Sequence, residues 1–165
     1  MNKTAVSQGL LAQEGLQRLS GIPDDVLNEA LQDPWLMSAS PDIQDPVSDA
    51  IPIHHEGKVV GFHLPAKNKR TGEQTVGDVF VSPEYRGKGL GTKTLKSYLE
   101  ANPDVTSFVH NDNAASRAAH LRAGFVDTLK SPHRGAAGDE ATPASSIWRR
   151  KGYNAALKKL GLALI

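Results

Sequence analysis

The run VSPEYRGKGLG at residues 81–91 constrains this chain more than any other feature. An alternating stretch, Gln74 to Val81, leads into it, Pro83 turns the chain, and Thr92 to Ala101 follows with Leu95, Tyr98 and Leu99 at helical spacing. Strand, glycine-rich turn and helix in that order make an anion cradle. Glycine at 87, 89 and 91 lets the backbone approach a ligand closely, and N–H groups at the start of a helix point at phosphate oxygens. A diphosphate fits such a place. The run lacks the G-x-G-x-x-G spacing of dinucleotide folds, and no GK[ST] stands at P-loop spacing, so both of those nucleotide readings fall. A turn that merely joins strand to helix is the bland alternative.

The rest of the chain reads as alternating helices and strands of one domain, since 165 residues suffice for one core and hardly for two. Residues 1–49 hold a helix over Ala5 to Leu19 and a second opening at Pro23, with Asp24 and Asp25 in its first turn and Val26, Leu27, Ala30 and Leu31 on one face. Asp33 to Asp49, with three prolines, reads as loop, and no first strand is evident there. Residues 50–130 form the core. Strands Ala50 to His55 and Lys58 to Leu64 flank the turn Glu56-Gly57, and in the strand ending at Val81 simple alternation sets Val79 and Val81 opposite Val76, Asp78 and Phe80. A strand from Val105 to His110, a helix from Asn113 to Ala123 closed by Gly124, and a strand opening at Phe125 follow. Residues 131–165 read as a mobile Gly/Ala/Ser/Pro-rich loop, a last strand at Ser146 to Arg150 and a closing helix over Tyr153 to Leu164.

Composition narrows the function classes. No cysteine is present, which removes a disulfide scaffold, a thiolate nucleophile and thiolate metal sites. The histidines are dispersed, and His54 and His55 point to opposite faces of a strand, so no metal site is expected. No apolar stretch spans a bilayer and the N-terminus has no signal-type apolar region; a cytoplasmic protein without membrane contact is the expectation. Residues 1–50 carry two basic against eight acidic side chains, whereas 51–165 carry 17 against 10. The positive field over the second part suits a phosphate-bearing ligand. Arg149, Arg150, Lys151, Lys158 and Lys159 make a basic tail, but without interleaved aromatics it argues only weakly for nucleic acid.

With these residues in view, the chain resembles the GCN5-related N-acetyltransferase (GNAT) family. VSPEYRGKGLG is similar to that family's acetyl-CoA pyrophosphate motif, [Q/R]-x-x-G-x-[G/A], through Arg86, Gly89 and Gly91, and NAASRAAHLRAGF at 113–125 resembles its second motif, N-x-x-A-x-x-x-Y-x-K-x-G-F. The resemblance covers about half the chain. It implies an α/β (α+β) fold, a mixed, mostly antiparallel central sheet flanked by helices. It further implies acetyl-CoA as cosubstrate: backbone amides from Arg86, Gly87, Lys88, Gly89, Leu90 and Gly91 around the pyrophosphate, with Thr92 adding a hydroxyl. Main-chain groups at Phe80 and Val81, and the Asn113 side chain, would meet the pantetheine arm. Ser116 stands for the family's Ala, Arg122 for its Lys, and His120 for the Tyr that often protonates the leaving thiolate.

A neutral amine attacking a thioester needs an N–H donor for the oxyanion, a proton for the thiolate and a base for the ammonium. His120 is the candidate acid. Asp78 and Glu73, on the strand leading into the motif, are the candidate bases. The expected function is acetyl transfer from acetyl-CoA to a primary amine; the rivals are a CoA-binding or interaction module without turnover and, more remotely, an acyltransferase acting on nucleic acid. A homodimer stays open.

Overall fold

The computed structural model describes residues 17–37, 44–130, 145–153 and 159–161. Helix α1 (Asp24–Ala30) starts after Pro23 and buries Val26, Leu27 and Ala30. A short helix α2 (Pro34–Met37) and a strand β1 (Gln44–Pro46) interrupt the stretch expected to be loop. The Asp33 carboxylate caps α2, its Oδ1 accepting from Trp35 N at 2.8 Å and Leu36 N at 3.2 Å, with Pro34 first in the helix. Strands β2 (Ile51–His55), β3 (Lys58–Asn68) and β4 (Gln74–Val81) form an antiparallel sheet with β1. β3 lies central, with β4 on one edge and β2 then β1 on the other. Pro65 stands where pairing to β2 has ended at His63 and pairing to β1 begins at Ala66, so its missing N–H breaks no rung.

A 3₁₀ turn (Pro83–Tyr85) and the glycine run connect β4 to helix α3 (Leu90–Ala101). Strand β5 (Ser107–His110), helix α4 (Ala114–Ala123), and strands β6 (Phe125–Asp127) and β7 (Ser145–Arg150) complete the described part, with β7 between β5 and β6. The result is the expected mixed α/β fold with antiparallel sheets flanked by helices. Of the expected helix at Ala5 to Leu19 only residues 17–19 are described: Gln17 and Arg18 are helical and Leu19 is in a turn. The expected loop at 131–144 and most of the expected closing helix also lie outside them.

Two apolar clusters sit on opposite faces of β3 and β4. Leu19, Ile22, Val26, Leu27, Ala30 and Leu36 pack on Phe62, Leu64, Ala66 and Phe80. On the other side Leu95 and Leu99 of α3 pack with Val76, Val105, Val109, Ala123, Phe125 and Trp148. Val76 therefore does not share the face of Asp78 and Phe80. The register slips between Leu64↔Asp78 and Ala66↔Thr75, leaving Val76 and Gly77 as a bulge, with Gly77 at φ +74°. The extra residue resets the alternation, so Thr75, Asp78 and Phe80 face α1 while Val76, Val79 and Val81 face α3. His63 holds the bulge: its Nε2 donates to the Val76 carbonyl at 2.6 Å, and its ring meets Tyr98 of α3 edge-on at 4.7 Å.

Candidate active site

β4 and β5 run parallel for one rung only. Val76 N donates to Thr106 O at 2.8 Å and Thr106 N to Gln74 O at 3.1 Å, with Thr75 and Thr106 bridged. Beyond that rung β5 takes its ladder from β7, and the two strands part. Ser82 N donates to Val60 O, so the two-residue alternation turns the backbone of Asp78, Phe80 and Ser82 toward β3. It turns Val79 and Val81 toward the fork. An extended polar chain lying there would find donors and acceptors at Val79 and Val81 rather than at Phe80, whose ring is buried against Phe62.

The fork opens onto the glycine run. Gly87 (φ +77°) and Gly89 (φ +78°) take left-handed conformations that side-chain-bearing residues rarely adopt, while a Cβ at Gly87, Gly89 or Gly91 would touch no other part of the chain. Backbone conformation thus demands glycine at 87 and 89, whereas neither backbone nor packing demands it at 91. The first helical bond runs from Lys93 N to Gly89 O, which leaves the N–H groups of Leu90, Gly91 and Thr92 without an intrahelical acceptor at the positive end of a 12-residue helix. Lys88 is exposed beside them. Arg86 does not reach outward: its Nε donates to Val81 O at 2.8 Å, its Nη2 to Asp33 Oδ2 at 3.0 Å, and its guanidinium lies over the Phe80 ring. Asn113 Oδ1 caps α4 by accepting from Ser116 N at 3.1 Å, leaving the amide nitrogen for other use.

Of the three candidate acid–base residues, Asp78 lies on β4 beside the fork edge, with its side chain on the α1 face. Asp78 is 7% exposed and its Oδ2 has no hydrogen-bond partner. Burial, reinforced by the negative charge of Asp33, pushes its carboxyl up to about 7. Glu73 is at the far end of β4 and grips Arg149 of β7 with both oxygens, at 3.1 and 3.2 Å. This ion pair ties the two sheets together and engages the carboxylate that was expected as a base. His120 is 5% exposed, wedged against Phe125 and Trp148. Its Nδ1 donates to the Ser116 carbonyl at 2.7 Å, so Nε2 accepts from the Ser107 hydroxyl at 2.8 Å. Burial pulls the imidazole down to about 4, and a ring that is neutral at physiological pH with both nitrogens engaged has no proton to give a thiolate. His120, the expected acid, is thus a packed core ring with both nitrogens bonded to the chain.

Sequence reasoning missed a second group, which α2 brings over the fork. Trp35 meets His110 at the end of β5 with the rings tilted by 42° and their centroids 4.9 Å apart, while Asp33 at the same helix end reaches Arg86 beyond β4. Asp33 before Pro34 was a legible cap signal; its reach across 53 positions was not. Among the described residues no cluster of His, Asp or Glu could hold a metal ion, and no helix is long and apolar enough to cross a membrane.

Residues 23–125 match the acetyltransferase (GNAT) family. A mycothiol acetyltransferase of Paenarthrobacter aurescens is 31% identical over 91 residues, covering 50% of this chain and 28% of that protein. Another, of Saccharomonospora viridis, is 35% identical over 82 residues, covering 42% and 27%. The chain therefore matches only about a quarter of the length of these relatives. Among solved structures, a putative streptothricin acetyltransferase from Bacillus anthracis in complex with acetyl coenzyme A aligns at TM-score 0.40 and 18% identity, covering 58% of each chain. The ribosomal-protein-S18-alanine N-acetyltransferase from Escherichia coli aligns at 0.39 and 21%, covering 61% of this chain and 69% of that one.

Proposed function

Because the chain belongs to the acetyltransferase (GNAT) family, we propose that it transfers an acetyl group from acetyl-CoA to a primary amine. The observation that carries this reading is the fork between β4 and β5, which leads to the outward amides at the start of α3, with the raised carboxyl of Asp78 on the strand beside it. The residues present fit the cosubstrate. Gly87, Lys88, Gly89, Leu90, Gly91 and Thr92 would hold the diphosphate, Val79 and Val81 the amides of the pantetheine arm, and the Asn113 amide nitrogen a carbonyl of that arm. When bound, acetyl-CoA supplies the acetyl group as an activated thioester.

Asp78 serves as the base. An amine is mostly protonated at neutral pH, and a carboxyl whose proton affinity lies near 7 can take that proton and pass it on without being permanently protonated itself. The Val79 N–H, on the free edge of β4, is a fixed donor for negative charge developing on a carbonyl oxygen. Since His120 is buried and neutral, its part is to pin α4 to β5 through Ser107.

The test combines calorimetric titration with CoA and a thiol-release assay over a panel of amines. With no cysteine in the chain, any thiol released belongs to CoA. Binding with amine-dependent release supports the reading. Binding without release from any amine leaves a CoA-binding module, and no binding overturns the assignment of the glycine run.

A further inference from the structure

Asp33 spends its two carboxylate oxygens on different elements. Oδ1 caps α2 through Trp35 N and Leu36 N, a task that Ser, Thr or Asn performs equally well. Oδ2 pairs with Arg86, whose Nε in turn holds the carbonyl of Val81 on the fork edge. The Asp33 side chain is only 13% exposed, so a charge is kept out of water at a position where a cap needs none.

The location gives that charge a use. Arg86 lies over Phe80, 5.6 Å from the ring centroid, and Phe80 shares its face of β4 with Asp78. Asp33 thus reaches the surface from which Asp78 projects, and it does so from the helix that carries Trp35 over to His110. On the same face β3 offers Phe62, Leu64 and Ala66 and α1 offers Val26, Leu27 and Ala30, none of them titratable. The charged groups that α2 and the loop bring to this side of the sheet are Asp33 and Arg86, which pair with each other.

We propose that Asp33 is a positioning residue for the reaction: it locks the acceptor-side helix α2 to the cosubstrate loop through Arg86 and brings its carboxylate to the face of β4 from which Asp78 projects. Asp33 thereby keeps Asp78 a stronger base than burial alone would make it, and the shared ion pair makes the placement of α2 depend on the loop that holds the diphosphate. This rests on the reading of Asp78 as base. Burial first, and the negative charge of Asp33 second, raise the Asp78 carboxyl.

The test uses Asp33→Asn and Asp33→Ser, both of which retain a capping oxygen while removing the charge. The titration of the Asp78 carboxyl is followed by carbon NMR, its resonance assigned by its loss in Asp78→Asn, alongside the pH dependence of kcat and the KM for the amine. Both Asp33 variants are expected to lower the Asp78 midpoint by about half a unit to one unit, as removal of a nearby like charge should. The acid limb of kcat should move with it, and KM should rise severalfold. If folded Asp33→Asn and Asp33→Ser leave the Asp78 midpoint in place, the proposal is overturned. If the midpoint falls but the rate limb stays, the coupling is upheld and it is the role of Asp78 as base that fails.

Discussion

The two ring nitrogens of His120 are both committed to serines, Nδ1 to the Ser116 carbonyl and Nε2 to the Ser107 hydroxyl. Replacing the ring by phenylalanine orphans both groups in a buried place, so His120→Phe should cost about 1–3 kcal/mol in chemical denaturation. The same variant should leave the shape of the pH–rate profile unchanged. Loss of an alkaline limb would support the acid role. Asp78 behaves oppositely: Asp78→Asn should lower kcat about a hundredfold or more and abolish the limb centred near 7, whereas CoA affinity measured by calorimetry should hold. Gly91 offers the cleanest view of the diphosphate site, because its φ is not left-handed and its added methyl meets no protein atom. Gly91→Val, whose side chain exceeds the Gly or Ala that the motif admits at this place, should leave the protein folded and weaken CoA at least tenfold, and a variant with unchanged affinity would remove the ligand from the start of α3.

At the scale of elements, the bulge in β4 does the most to arrange the site. Gly77 is left-handed and a Cβ there would collide with the Leu64 carbonyl oxygen, so Gly77→Ala should cost about 3 kcal/mol or more and disturb the fork in the same step. Here lies the limit of what the residues disclosed. β4 itself, its glycine run, α3, α4 and the C-terminal glycine of α4 were all legible, because local periodicity and caps define them. The side on which Val76 falls was not, since simple alternation cannot count an inserted residue, although a glycine inside a strand is its usual mark. α2 was signalled by Asp33-Pro34 and masked by the prolines after it. β1 is three residues whose place is fixed by pairing to Ala66, Lys67 and Asn68 and by the bond from Thr75 Oγ1 to Gln44, partners that only the tertiary fold supplies. The partners of Glu73 and His120 were hidden for the same reason, since Arg149 and Ser107 are distant in sequence. Asn113, by contrast, was rightly read as able to cap α4; Asn113→Ala should lower stability by about 1 kcal/mol, and a fall in CoA affinity on top would add the pantetheine contact.

Across the whole molecule the buried ionisable groups pull stability in opposite directions as pH changes. The Asp78 carboxyl is raised from its ordinary 3.8 to about 7, so between those values the folded state holds a proton that the unfolded state has released. Its contribution is fully present below about pH 4 and is lost as pH rises through 7, a cost on the order of 4 kcal/mol above that point. His120 falls from 6.5 to about 4, so in that window the unfolded state holds the extra proton, and stability grows with pH by about 3 kcal/mol. His63, likewise lowered by burial, adds to the rise. From pH 4 to 6.5 the slopes of Asp78 and His120 largely offset each other, and the His63 contribution leaves a net rise with pH from these three groups. Asp78→Asn removes one slope and leaves the others. Its advantage over wild type, measured as the difference in urea midpoints, should be small at pH 4, widen steadily to about pH 7 and then stay constant. An advantage independent of pH would mean that the Asp78 carboxyl titrates alike in the folded and unfolded chains, and it would then lack the proton affinity that a base for an ammonium requires.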